Sequence, residues 1–391
     1  MKNKVVAIGD RAEVLARTRN LKMARSQHAY VRGSTVKFYE WLAESEGKVP
    51  VGPSIWICGD CHLGNLGPLA DTDGNVAIQI RDLDQTVIGN PAHDIIRLAL
   101  SLAAAARGFD LPGGVTARMI EAIAAGYVAG LTDPAKAIDA QPEPVRKLLR
   151  LAGRRRWKHL AEERIEDVRP VIPLGSKYWP MDKDERRLLA DMLASEALAQ
   201  HWSAIIGSDK DTPFELLDAA YWMKGCSSLG RLRYAAIVRQ GDDDLSLLDI
   251  KEATKAAAPR APDAEMPRDN ALRVVTGARA LSPNLGERMA AGRLGNAAVV
   301  VRELMPQDLK TELDGLAAEE ARAVAWSLAA VVGRAHGRQL DAHQRDEWAG
   351  ALHQRSKSLD APSWLWSSVV ELVGIHESAY LEHCRRALLA A

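Results

Sequence analysis

Two short polar runs, each following an apolar stretch, carry the most legible chemistry in this chain. The first is Gly59-Asp60-Cys61-His62-Leu63-Gly64-Asn65, directly after Ser54–Cys58. An aspartate with an asparagine five positions on is the pair a phosphoryl-transfer loop requires. The carboxylate orients an acceptor hydroxyl and takes its proton, and the amide oxygen holds a magnesium ion. The second run, Arg81-Asp82-Leu83-Asp84, follows the apolar segment Val76–Ile80. Mg2+ prefers hard oxygen ligands, so Asn65, Asp82 and Asp84 form a chemically sensible metal set. The competing readings are an Asx-rich surface turn for the first run and a solvated acidic turn for the second.

Such a site also needs groups that grip nucleotide phosphates, and none precede Asp60. They occur far downstream. Lys224-Gly225-Cys226-Ser227-Ser228-Leu229-Gly230 opens a strand and can bring backbone N–H groups close to phosphates. Gly225, Ser227, Ser228 and Gly230 are the candidate contacts. A hairpin later, Leu247-Leu248-Asp249-Ile250-Lys251 presents a strand lysine.

These pieces resemble known kinases in detail. Asp60, His62 and Asn65 fit the G-D-x-H-x-x-N loop of aminoglycoside and choline-type small-molecule kinases. Asp60 and His62 are therefore the candidate catalytic residues. Gly89-Asn90-Pro91-Ala92-His93-Asp94 resembles the segment after the metal aspartate in those enzymes, where Asp94 would cap a helix and tie down the catalytic loop. Lys251 resembles the phosphate lysine of Val-Ala-Ile-Lys, and Glu303-Leu304-Met305 the hinge that meets adenine, through Glu303 and Met305. The order is rotated relative to ordinary kinases. A circular permutation is physically acceptable because chain ends usually lie close together at the surface.

As a whole the chain is similar to one bacterial family, domain of unknown function 2252. The stretches that carry the likeness are Tyr30-Val31-Arg32-Gly33, GDCHLGNLG, IRDLDQT, DIIRLALSLA, KGCSSLGRLRY, DIKEA, RVVTGARAL and GRAHGRQL. The resemblance implies an α+β, circularly permuted protein-kinase-like fold of two lobes, one helix-rich and one a small antiparallel sheet. It supplies no substrate; the likeness of the loops to small-molecule kinases implies ATP and Mg2+ as cofactors and a hydroxyl acceptor, a small molecule ahead of a peptide. The alternatives are a nucleotide-binding pseudokinase-like module and a nucleotidyltransferase. One departure stands out. The strand lysine of kinases pairs with a helix glutamate, yet Asn270–Leu281 holds none, and the sequence does not choose among Glu252, Glu265 and Glu287.

The elements that must position these residues are partly readable. Helical periodicity covers Arg11–Glu46, Asp94–Ala106, Val115–Leu131, Pro144–Glu166, Lys183–Ile206, Asn270–Leu281 and Ala318–Gln339. Strand composition marks Ser54–Cys58, Val76–Ile80, Gly230–Val238, Leu245–Ile250 and Asn296–Leu304. Thr254–Arg268 reads as a loop. The expected organisation is 1–208 as the first part of a helical lobe with the catalytic and metal loops. A β-rich nucleotide-gripping module, 209–305, follows, and 306–391 completes the helical lobe.

Composition narrows the rest. The 51 Lys+Arg balance 51 Asp+Glu, which disfavours a general nucleic-acid binder. A basic stretch from Lys147 to Arg164 around Trp157 reads as a solvated face, or as a site for an anionic acceptor or RNA. Arg32, close before the catalytic loop, reads as a phosphate contact or as support for Asp60. Cys58-Gly-Asp-Cys61-His62 fits a haem or redox pattern formally, but no export signal or further soft ligands accompany it. No run approaches the ~20 apolar residues that span a bilayer. The expectation is a cytoplasmic protein without membrane partners.

Overall fold

The computed structural model describes residues 6–108, 113–155, 171–196, 198–199, 201, 215–226, 229–240, 244–309, 317–353 and 362–389. Three helices open it: α1 (Arg11–Met23), α2 (Gln27–Gly33) and α3 (Thr35–Ala43). Periodicity predicts one continuous helical stretch here. The chain breaks it at serines: Ser26 accepts from the Ala29 amide and restarts a helix, and Ser34 separates α2 from α3.

Four short strands follow: β1 (Ile55–Ile57), β2 (Leu66–Ala70), β3 (Val76–Ile80) and β4 (Val87–Gly89). β1 pairs with β4 and β2 with β3, both antiparallel. β2 reads LGPLA, and its Gly and Pro hide it from strand propensity; a two-stranded ribbon, which is all edge, tolerates Pro68. The residues between these strands are the two polar runs, so the ribbons serve as their scaffold.

The helical body comprises α4 (Ala92–Gly108), α5 (Gly113–Thr132), α6 (Pro134–Asp139) and α7 (Glu143–Gly153). Late in the chain it gains three more helices. Almost all of α4 is buried. The expectation that Asp94 caps this helix is overturned. The helix begins two residues earlier, and Asn90 Oδ1 accepts from the Ala92 amide at 3.0 Å. α7 ends at Gly153, short of the expected Glu166. Arg156, Trp157, Lys158 and Arg164 of the basic stretch lie outside the described residues.

Next come β5 (Tyr178–Trp179), α8 (Lys183–Leu193), β6 (Glu215–Trp222), β7 (Arg233–Gln240), β8 (Asp244–Glu252), α9 (Asn270–Leu281), α10 (Pro283–Gly286), β9 (Met289–Leu294) and β10 (Ala297–Glu303). The six strands form one antiparallel sheet in the order β5-β6-β7-β8-β10-β9. A capping box of Asp182 and Glu185 starts α8; the helix breaks at Ala194 and Ser195, after which Glu196, Leu198, Ala199 and His201 are helical again, and 202–206 lie outside the described residues. β9 reads MAAGRL and lacks the β-branched residues that would announce a strand; its pairing with β10 supplies what propensity does not.

Strand alternation sorts this sheet into two faces. Tyr234, Ala236, Val238, Leu248, Ile250, Val299 and Val301 pack with Leu189, Met192 and Leu193 of α8. The opposite parity puts Arg233, Asp249, Lys251 and Arg302 on the other face. That face turns toward the helical body.

The chain closes with α11 (Ala318–Gly337), α12 (Ala342–His353) and α13 (Ser363–Leu389). α11 lies against α5 at backbone contact. A Cβ on Gly126 or Gly130 would come within 2.1 Å of the Trp326 or Ala330 carbonyl oxygen, so only glycine permits this crossing. The result is a mixed α+β protein, with helices packed on one side of a cleft and the six-stranded sheet on the other. Among the described residues, no helix is long and apolar enough to cross a membrane.

Candidate functional site

The Asp60 loop is fixed from three directions. Gly59 adopts φ +74°, and a Cβ there would meet the Gln85 carbonyl oxygen at 2.1 Å, so glycine is required. The Asp94 carboxylate accepts from the Cys58 amide at 2.7 Å and from the Gly59 amide at 2.9 Å. Tyr39 donates its hydroxyl to the Gly59 carbonyl at 2.5 Å. Asp94 therefore ties the loop down, as expected, although it caps nothing.

Asp94 is itself held by a buried relay. Trp348 Nε1 donates to the Tyr127 hydroxyl at 3.0 Å, and Tyr127 lies 2.9 Å from His336 Nδ1. An indole N–H can only donate, so the tyrosine oxygen accepts from Trp348 and keeps its own proton to offer to Nδ1. His336 Nε2 in turn lies 3.2 Å from Asp94 Oδ2.

Asp60 is 6 % exposed and already engaged at both oxygens. Arg97 Nε donates to Oδ1 at 2.8 Å and Thr35 Oγ1 to Oδ2 at 2.9 Å. Burial pushes the Asp60 carboxyl above its usual range, against the pull of Arg97 and Thr35. His62 lies 3.9 Å from Asp60, and burial, reinforced by Arg32 and Arg97, drives its pKa well down, so it is neutral at pH 7. Asn65 donates Nδ2 to the Asp60 carbonyl at 2.9 Å. That bond commits the amide nitrogen and leaves the amide oxygen for a cation.

Arg97 and Thr35 were not singled out from sequence, but a signal existed. Asp94, Arg97 and Ser101 are polar positions at spacings of three and four on an otherwise apolar helix. All three face the Asp60 loop; Ser101 Oγ accepts from the Leu63 amide at 3.1 Å.

The Arg81–Asp84 loop meets the sheet directly. Lys251 Nζ lies 3.3 Å from Asp82 Oδ1 and forms a closer ion pair with Asp84. None of Glu252, Glu265 or Glu287 partners it. Glu252 instead accepts from the Leu232 amide at 2.9 Å. Burial pushes the Asp82 carboxyl up, and Lys251 with Arg233 more than reverses this, leaving it below the usual range. Asp84 goes the other way, raised by burial and by the charge of Asp82. Beside them, Arg233 Nε donates to Asp249 Oδ1 at 2.8 Å, and Lys224 lies 3.6 Å from the same carboxylate.

Between sheet and helices runs a cleft of about 800 Å³. Gly225, Cys226 and Met305 line it, together with Trp222 and Leu304. Among the described residues, seven Lys and Arg side chains face it, against one acid, Asp308. Asp308 is already shared between Arg288 at 3.0 Å and Arg302 at 2.8 Å. A smaller pocket of about 60 Å³ holds Asp82, Asp84 and Lys251, and shares Arg81 and Arg302 with the cleft.

The remaining candidates divide. Gly225 and Gly230 adopt φ of +97° and +102°, while Ser227 and Ser228 lie outside the described residues. Glu303 is not free to meet a ligand through its backbone. Its N–H donates to the Arg288 carbonyl at 3.1 Å, and its carbonyl accepts from Arg288 Nη1 at 2.9 Å. Cys58 and Cys61 are both fully buried, as spacers within the loop core. No cluster of three His, Cys, Asp or Glu side chains with metal-binding geometry occurs among the described residues. A set of Asn65, Asp82 and Asp84 offers only hard oxygens and fits Mg2+ by donor chemistry.

Fold and site together define a mixed α+β protein whose buried aspartate loop and strand lysine converge beside a basic cleft. The chain belongs to the family described as "Uncharacterized protein conserved in bacteria (DUF2252)", whose profile matches residues 11–386. No curated protein and no solved structure matches it.

Proposed function

We propose that this protein is an ATP- and Mg2+-dependent phosphotransferase acting on a hydroxyl acceptor, with a circularly permuted kinase-like arrangement. The observation that carries this reading is the meeting of Lys251 with Asp82 and Asp84. These residues are 169 and 167 positions apart in sequence, and a kinase-type site requires a strand lysine beside the metal aspartate. The Gly225 turn and Met305 line the large cleft, which shares Arg81 and Arg302 with the pocket of Lys251, as nucleotide phosphates and adenine would need.

In this reading Asp60 receives the acceptor proton, and Arg97 and Thr35 hold its carboxylate in place. Asn65, Asp82 and Asp84 hold the cation, which neutralises phosphate charge when bound. Lys251 turns from the aspartates to the nucleotide, and Arg81 and Arg302 offset the remaining phosphate charge. The site supplies positioning and electrostatics, which is most of what phosphoryl transfer asks of a protein.

The test is a titration with a fluorescent ATP analogue, with and without Mg2+, followed by acceptor screening with ATP. Lys251→Ala is expected to weaken nucleotide at least tenfold. Asp60→Asn is expected to leave nucleotide affinity intact and abolish transfer. Absence of nucleotide binding would refute the reading.

A second reading has two observations in its favour. Both Asp60 oxygens are engaged, and Lys251 has no glutamate partner among the described residues. A module that holds nucleotide without turnover would look like this. Tight Mg2+-dependent ATP binding with no transfer to a broad acceptor panel would select it. Mass spectrometry of any modified product separates phosphoryl transfer from nucleotidyl transfer.

A further inference from the structure

The cleft has more positive charge than a nucleotide site needs, and the excess is grouped. Lys22, Arg25 and Arg32 stand on the α1–α2 wall, opposite the Gly225 turn. Lys22 Nζ donates to the Gly225 carbonyl at 2.9 Å, which neutralises no charge. The guanidinium groups of Arg25 and Arg32 have no hydrogen-bond or ion-pair partner among the described residues, and Arg32 Nε is buried unpaired. A buried donor without a partner is costly, and so is a cluster of like charges.

Arg32 is also the cation placed against the Asp60 loop. Its guanidinium packs on Gly64, where a Cβ would fall 2.8 Å from Cζ. Any larger residue at position 64 would push Arg32 away from the loop. Across the cleft, burial raises the Cys226 thiol, and Arg32, Lys22, Arg19 and Arg25 all pull against it, so their charges converge on one region. Lys251, Asp82 and Asp84 form a separate group in the smaller pocket, of which Arg32 is not a part.

We infer that the α1–α2 end of the cleft is a second anion subsite, centred on Arg32 with Arg25 and Lys22, that binds a phosphate group on the acceptor. The phosphotransferase thus takes an already phosphorylated small molecule. This assignment rests on the proposed function for the word acceptor, and on the cleft alone for the anion. Arginine's planar fork suits a phosphate with several oxygens, and three convergent cations exceed what one carboxylate would use.

The test uses inorganic phosphate as the probe. Its 31P line is followed as full-length protein is added, after saturation with Mg2+ and a non-hydrolysable ATP analogue. Phosphate is expected to bind the nucleotide-loaded protein, and acetate not to displace it. Arg32→Gln should weaken phosphate at least tenfold while changing analogue affinity less than threefold. Arg32→Lys should restore part of the loss, which separates a charge role from a folding defect. Loss of phosphate binding once nucleotide is present would overturn the subsite. So would an equal loss of analogue affinity in Arg32→Gln, since Arg32 would then serve the nucleotide. Displacement by acetate at equal concentration would overturn the phosphate class. Arg32-dependent phosphate binding in a protein that binds no nucleotide would refute the kinase-like reading and leave the anion subsite standing.

Discussion

Arg97 Nε donates to Asp60 Oδ1 at 2.8 Å from a guanidinium buried within α4. The pair holds a carboxylate charged in a place where burial alone would favour its neutral form. Removing one partner of such a pair typically costs ~3–5 kcal/mol, because the other charge is left buried and uncompensated. Arg97→Met is expected to destabilise by about that amount at pH 7. The double variant Arg97→Met/Asp60→Asn should lose less than the single one, because the orphaned charge is gone. Urea unfolding of the four proteins in a double-mutant cycle measures the coupling; additive losses would contradict it.

Lys251 occupies the place opposite Asp82 and Asp84 that a divalent cation would need. An ammonium there competes with metal. Lys251→Met is expected to raise the affinity of the nucleotide-free protein for Mn2+, used as a magnetic stand-in for Mg2+, by about tenfold or more. Electron paramagnetic resonance of free Mn2+ during titration provides the measurement. An unchanged affinity would remove Asp82 and Asp84 from the metal set.

Two imidazoles give the protein an acid-side liability. Burial holds both His93 and His376 at a pKa of about 4. His376 Nδ1 donates to the Leu372 carbonyl at 2.9 Å, consistent with a neutral ring. An unfolded imidazole titrates near ~6.5 and so takes its proton first as pH falls. The stability these rings contribute is present above that value and is lost progressively toward pH 4. The slope reaches at most about 1.4 kcal/mol per pH unit for each ring. Unfolding midpoints between pH 7 and pH 4.5 should show the fall, and His376→Gln should reduce its slope.

Gly59 and Gly74 share a positive φ but not a neighbourhood. A Cβ on Gly59 meets backbone, whereas one on Gly74 meets nothing within 4 Å. Gly74→Ala is expected to cost ~1–2 kcal/mol, the conformational term alone. Gly59→Ala adds a backbone clash, displaces the Asp60 loop and should cost clearly more. Thermal unfolding of the two variants side by side decides it.

The candidate site's components were legible because chemistry constrains residue type. Asp60, Asn65, Asp82 and Lys251 stood out as polar residues at the ends of apolar runs. The α+β character and most helix and strand positions followed from periodicity, which is local. Strands such as LGPLA and MAAGRL were invisible because pairing, not propensity, makes them strands. The single helical pattern from Arg11 to Glu46 broke into three at Ser26, whose hydroxyl takes a backbone amide, and at Ser34, whose hydroxyl donates to the Val31 carbonyl.

Sequence by itself thus singled out the candidate side chains, and set the alternation that puts Lys251, Asp249 and Arg233 on one face of a sheet. Tertiary structure alone decided what each one touches. Lys251 pairs with aspartates from a loop 167 residues away or more, not with a glutamate nearby. Arg97 reaches Asp60, and Arg32 packs on Gly64. The physical reason is that charge pairing depends on distance in space, and a chain's local pattern specifies faces and periods but not which faces meet.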